Sequence, residues 1–201
     1  MSFDYFETGT KAPICLTWEL TYACNLACTH CLSSSGKRRP DELTFEEIRA
    51  LVDEWAASGV FYVNIGGGEP MVRPDFFDIV DYTVNSRIGV NFSTNGTMID
   101  AVKARRLAAM DYVDLQVSLD GVDAETNDPI RGPGSYAKAR RAMDHLADAG
   151  FEDFKISVVL TRRSIAQLDR LQQLADHYGA RLRLTRLRPS GRGLDVWDEL
   201  R

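Results

Sequence analysis

Val113-Asp114-Leu115-Gln116-Val117-Ser118-Leu119-Asp120 alternates apolar and polar residues without a break. Successive side chains of a strand point to opposite faces, so this run has one aliphatic and one polar face. Leu16, Trp18 and Leu20 oppose Thr17, Glu19 and Thr21 in the same way, and Asn64, Asn91, Ser93, Lys155 and Ser157 continue the polar row. Strands of a flat parallel sheet, covered by helices on both sides, read instead as near-continuous apolar runs. One face of this sheet therefore meets helices and the other wraps around a wet cavity.

Working outward, six strands are predicted near Ile14–Thr21, Phe61–Ile65, Gly89–Ser93, Tyr112–Leu119, Phe154–Leu160 and Arg181–Leu187, with helical patterns between them. Thr44 and Glu47 form a capping box ahead of Ile48, Leu51, Val52 and Trp55, and Gly59 stops that helix. Ser164 with Gln167 is expected to open another before Leu168, Leu171 and Leu174. Asp75 and Asp100 are expected as caps, and a helix from Tyr136 to Ala149 ends at Gly150. The predicted fold is α/β: a partial, TIM-like (βα)6 barrel that ends after its sixth strand. Residues 1–13 are read as an N-terminal extension, 14–189 as the core domain and 190–201 as a truncated segment that begins or frays a sixth helix.

Composition bounds the function. The 201 residues suffice for one domain, and a net charge of −5 argues against a nucleic-acid surface. No apolar run approaches the ~20 residues of a membrane span, and Asp4 and Glu7 interrupt any secretion signal, so a cytoplasmic location is expected.

Three of the four cysteines lie within Cys24-Asn25-Leu26-Ala27-Cys28-Thr29-His30-Cys31. Thiolates at this density serve a metal or a disulfide, and a reducing compartment favours the metal. Structural zinc takes four closed ligands from two separated pairs, and no second pair follows. A three-thiolate iron–sulfur cluster, with one iron left open, fits the spacing better. Cys15 reads as a small buried hydrophobe on the first strand. Further loops at strand C-terminal ends carry Gly66-Gly67-Gly68-Glu69-Pro70, Ser93-Thr94-Asn95-Gly96 and Ser118-Leu119-Asp120-Gly121. Each alone is turn punctuation, but together they sit on the rim where parallel barrels place active sites.

Cys24-x3-Cys28-x2-Cys31 with Gly67-Gly68-Glu69 resembles the radical S-adenosylmethionine (SAM) enzymes. Thr17-Trp18-Glu19-Leu20-Thr21-Tyr22 and His30 resemble the branch that modifies ribosomal peptides. The runs Val60 to Pro70 and Arg186 to Gly193 look like the mycofactocin radical SAM maturases. This resemblance implies a [4Fe–4S] cluster on Cys24, Cys28 and Cys31 and reductive cleavage of SAM to a 5′-deoxyadenosyl radical. It assigns Gly67, Gly68 and Glu69 to the methionyl ammonium, Ser118 and Asp120 to the ribose or carboxylate, the His30 and Leu187 backbones to the adenine, and Arg131 to the SAM carboxylate. The implied reaction is oxidative decarboxylation and crosslinking of a C-terminal Val-Tyr, on a ribosomal precursor peptide presented by a small peptide-binding partner, with a separate reductant. Another peptide-modifying or sulfatase-maturing enzyme, and an idle SAM-binding fragment, are the alternatives. Members of that family continue into a cysteine-rich domain, so the resemblance also implies a truncated chain. Two further expectations follow: an ion pair of Glu19 with Lys155 or Arg183 inside the cavity, and self-association through an uncovered face at Ile156, Val158, Leu182 and Leu184.

Overall fold

Six parallel strands pair in strict sequence order, from the first to the last, in one sheet. They are β1 (Cys15–Thr21), β2 (Tyr62–Gly67), β3 (Gly89–Thr94), β4 (Val113–Ser118), β5 (Lys155–Leu160) and β6 (Arg181–Arg186) in a computed structural model that describes residues 13–201. The expected N-terminal extension therefore lies outside the described residues, save Pro13. A doubly wound sheet reverses its strand order to place helices on both faces. No reversal occurs here, and crossovers of the usual right hand then put the layer of helices that covers the sheet on one side.

The helices are α1 (Phe45–Ser58), α2 (Phe76–Asn85), α3 (Ala101–Ala108), α4 (Ala124–Arg131), α5 (Ser135–Asp148), α6 (Arg162–Ile165), α7 (Leu168–His177) and α8 (Trp197–Leu200). Register shows what the alternation achieves. Trp18, Ile65, Phe92 and Leu115 stand side by side on the outer face, while Thr17, Asn64, Asn91 and Asp114 do so on the inner face. Ile48 and Val52 of α1, Ile79 and Val80 of α2, Leu107 of α3, Met143 and Leu146 of α5 and Leu171 of α7 close over the outer row. Each such side chain contributes about 1.5–3 kcal/mol of apolar burial.

The Thr44 capping box is formed, with Gly59 in the left-handed conformation as the stop. Thr44→Ala should lower stability by about 1 kcal/mol in urea unfolding, because the Glu47 N–H loses its acceptor. Asp100 also caps as expected, accepting from the Lys103 N–H.

Several expectations are corrected. Asp75 stands before α2 but its carboxylate makes no cap, because Arg73 takes both oxygens. Ser164 does not begin a helix. It is the third residue of the short α6, whose cap is Thr161, and Gln167 turns away to accept from the Val122 N–H and the Thr126 hydroxyl. Helix α4 was not expected at all. Lys155 and Glu19 share the inner face, but Lys155 pairs with Asp114 on the neighbouring strand rather than with Glu19, and Arg183 donates to the Ser157 hydroxyl. Ile156 and Val158 are fully covered and Leu182 is half-buried, so the uncovered outer face reduces to Leu184. Cys15 is only half-buried and faces Asn64, whose amide donates to its sulfur.

Candidate functional site

The loop after β1 is held from three sides. Glu42 accepts from the Thr21 hydroxyl and the Tyr22 N–H, and Cys24 and Gly36 close the loop through Cys24 N–H to Gly36 O at 3.0 Å and Gly36 N–H to Tyr22 O at 2.8 Å. Burial alone would raise the Glu42 carboxyl, but these N–H and hydroxyl donors hold it below its ordinary value. Second, the loop after β2 docks backbone to backbone: Gly68 N–H donates to Thr21 O at 2.6 Å and Glu69 N–H to Ala23 O at 2.9 Å. The approach is so close that a Cβ on Gly68 would lie 2.0 Å from Ala23 O, and one on Gly67, at φ +105°, would lie 2.4 Å from Thr21 O. Only glycine fits either position. Third, Arg192 donates to Cys28 O and Ser35 O, while Ser190 donates to Leu32 O. Residues 190–193, expected as a truncated end, thus pack onto the cysteine loop.

Cys24, Cys28 and Cys31 are free, half-buried thiols that line one cavity of about 600 Å³ on the inner face of the sheet. That is within the range of pockets for small ligands and cofactors. Gly67, Gly68, Glu69, His30, Ser118, Arg131 and Leu187 line it as well, together with Glu19, Asn95 and Arg183. Burial pushes the Cys24 and Cys28 thiols up. It acts the same way on Cys31, but the N–H groups of Ser35 and Ser33 and the Ser33 hydroxyl outweigh it and hold that thiol down.

Glu69 is buried, with one oxygen accepting from the Thr94 hydroxyl and the Met71 N–H and the other from the Asn95 N–H at 2.7 Å. Burial dominates over these donors and raises its carboxyl to about 7. Asp120 behaves oppositely. It does not line the cavity as expected: one oxygen lies 2.6 Å from both His30 Nε2 and Arg131 Nε, and the other accepts from the Val159 N–H. Burial opposes its ionisation, yet Arg131, His30 and the Val159 N–H together hold its carboxyl at about 2. Asp120 is therefore an internal anchor rather than a surface offered to a ribose or a carboxylate. Arg131 is turned toward that anchor and still borders the cavity, and Ile130 O behind it receives the Thr29 N–H.

Sequence reasoning missed Glu42, Thr94 and Arg192, which shape the site through hydrogen bonds to loops distant in sequence, and Asn127, which holds the loop after β4 from the helix that follows it. Thr94 and Asn95 were visible only as turn punctuation. Asn127, fully buried on α4, accepts from the Asp120 N–H and so belongs to a helix that the pattern did not show.

A sequential parallel sheet with helices on one side, a three-cysteine loop and a Gly-Gly-Glu loop on a shared cavity wall define a radical SAM domain. The profile of the Radical SAM superfamily matches residues 18–175, and the chain belongs to that superfamily. It is 63% identical to the mycofactocin maturase MftC of Mycobacterium ulcerans over 98% of this chain and 53% of that protein. It is 37% identical to the AdoMet-dependent heme synthase of Methanosarcina barkeri over 95% of this chain and 55% of that one. The chain thus spans about half the length of these relatives. Among solved structures it resembles Streptococcus suis SuiB bound to the precursor peptide SuiA, with a TM-score of 0.80, 19% identity, and coverage of 89% of this chain and 40% of SuiB.

Proposed function

We propose that this domain binds a [4Fe–4S] cluster on Cys24, Cys28 and Cys31 and SAM against Gly67-Gly68-Glu69, and that it cleaves SAM reductively. The observation that carries the reading is the backbone docking of Gly68 and Glu69 onto Thr21 and Ala23, which joins the thiol loop and the acidic loop into one wall. Among the described residues no three such side chains converge as ligands of a single ion do. A polynuclear cluster, which takes thiolates on separate irons, suits thiols that are spread along a loop. When bound, the cluster supplies the electron for cleavage and an open iron for the methionyl end of SAM. The chain's own part is to place an acceptor, Glu69, for the ammonium, to bring Ser118 and the His30 and Leu187 backbones around the rest, and to keep Arg131 ordered near the carboxylate. Half-burial of the thiols limits access of water to the cluster.

The similarity to the mycofactocin maturases supports a finer reading. In it the substrate is a ribosomal peptide ending in Val-Tyr, delivered by a small peptide-binding protein in the cytoplasm, and the products come from oxidative decarboxylation and a carbon–carbon crosslink.

The cofactor reading is tested by anaerobic reconstitution followed by iron and sulfide analysis and by assay of 5′-deoxyadenosine with dithionite. Cys24→Ala, Cys28→Ala and Cys31→Ala should each lose the cluster, whereas Cys15→Ala should keep it. Equal loss of iron in Cys15→Ala would overturn the ligand set. The peptide reading is tested by adding the precursor and its binding protein and following loss of carbon dioxide by mass spectrometry.

A further inference from the structure

A second concavity, of about 420 Å³, lies outside the barrel between the start of α3 and one face of α5. Its walls are Thr97 to Asp100, Lys103, Lys138, Arg141 and His145. Lys138, Arg141 and His145 are three, then four, residues apart on α5, a spacing that sets them in one row along the helix. Lys138 and Arg141 are exposed, and among the described residues neither comes within 4 Å of a carboxylate. The single acid in the walls, Asp100, is occupied by Lys103 at 2.7 Å and by its own capping contact. Two exposed and unpaired fixed cations, Lys138 and Arg141, thus stand in a wall whose one carboxylate is already neutralised by Lys103, on a chain whose net charge is −5. Such a local reversal of sign attracts an acidic partner and orients it.

Position narrows the partner. Thr97, in the concavity wall, accepts from the Asn25 side chain at 2.7 Å and donates to Asn95 Oδ1 at 2.7 Å. Asn95 in turn donates to Asn25 Oδ1 at 2.9 Å, and its amide lies 4.0 Å from Cys24 Sγ. The cationic wall is therefore joined, through Thr97, Asn25 and Asn95, to the loop that carries Cys24. Whatever docks there bears on the loop that carries Cys24.

We propose that this patch is the docking surface for the reductant, a small acidic one-electron carrier protein such as a flavodoxin. The inference rests on the cluster reading above and extends it to the partner. One electron moves: the carrier's flavin hydroquinone is oxidised to the semiquinone and the cluster on Cys24, Cys28 and Cys31 is reduced by one, with no bond made or broken.

The test separates docking from cofactor chemistry. Binding of oxidised flavodoxin to the 201-residue chain is measured by calorimetry at low and moderate salt, for the unaltered chain, for Lys138→Glu/Arg141→Glu, and for Arg162→Glu as a control of net charge. Cluster reduction is then followed by visible absorbance with flavodoxin hydroquinone and, separately, with dithionite. The double variant is expected to bind flavodoxin about tenfold or more weakly, to lose the salt dependence, and to be reduced correspondingly slowly by flavodoxin, all within the usual range of electrostatic steering. Its reduction by dithionite should be unchanged. Binding unaffected by the double reversal, or equally weakened by Arg162→Glu, would overturn the proposal. So would binding of single-stranded RNA that depends on Lys138 and Arg141 while flavodoxin does not bind. Failure of dithionite to reduce any variant would count instead against the cluster, and the calorimetry would still decide the patch.

Discussion

Asp120→Asn should destabilise the domain by about 3–5 kcal/mol, the range for breaking a buried ion pair from one side. Asparagine keeps the shape and loses the charge, which strands the Arg131 guanidinium in a buried place beside an uncharged group. The contact between Ile130 O and the Thr29 N–H, one residue from Arg131, should loosen with it, so the cysteine loop should exchange its amide hydrogens faster. A paired replacement, Asp120→Leu with Arg131→Met, removes both charges and should recover much of the loss. The pH dependence has a definite sign. The Asp120 carboxyl is lower in the fold than in the unfolded chain, so its stabilisation is fully present above the ordinary carboxylate range and fades as pH falls toward about 2. Urea unfolding at several pH values checks this, and a single-variant loss under about 1 kcal/mol at neutral pH would contradict the anchor role.

Glu69 should give the opposite profile. Its carboxyl, raised from 4.5 to about 7 by burial, makes the neutral form the comfortable one inside the fold. Stability from this group is complete below the unfolded value and is lost as pH rises through about 7, a change of about 3 kcal/mol at 1.36 kcal/mol per unit. In the chain stripped of cofactors, Glu69→Gln should abolish that slope whatever it does to absolute stability, since the amide does not titrate. A cation placed against Glu69 would reverse the preference. SAM should therefore bind the reconstituted domain more tightly as pH rises toward 7, with release of a proton that calorimetry in two buffers of different ionisation heat can count. Proton uptake on binding, or an unaltered slope in Glu69→Gln, would contradict the assignment.

The barrel was legible because alternation is a direct record of two different solvents on the two faces of a sheet. In Val113 to Ser118 the apolar residues meet the helices while Gln116, although it is buried, and Ser118 meet the cavity wall, and sequential order then left one face for the covering helices. The same count misplaced Asp120, because β4 ends at Ser118 and alternation has no meaning once pairing stops. Helix α4 escaped notice for a related reason. It holds Pro129 and few apolar residues, and its fixed points are the Asp123 cap and the buried Asn127, neither of which produces a hydrophobic period. The Lys155 partner was misjudged because charge complementarity names candidates while register picks among them: Asp114 is on the next strand and Glu19 is on the far edge. That Cys24, Cys28 and Cys31 share one loop was readable from spacing, but the roles of Glu42 and Arg192 depend on loops brought together only in three dimensions.

The fastening of the cysteine loop by Arg192 and Ser190 has a consequence for the order of events in the cell. Those hydrogen bonds span 157 to 164 residues of chain. Contacts of such separation form late, after the loop-closure entropy of the intervening sheet has been met, and a chain emerging at about 5–20 residues per second presents its first loop many seconds before its last strand. During synthesis the three thiols would therefore sit on a loop lacking one of its three supports. Iron loading is accordingly expected to follow emergence of residues 190–192 from the ribosome, and nascent chains stalled before Arg192 should take up iron poorly although Cys24, Cys28 and Cys31 have already been made.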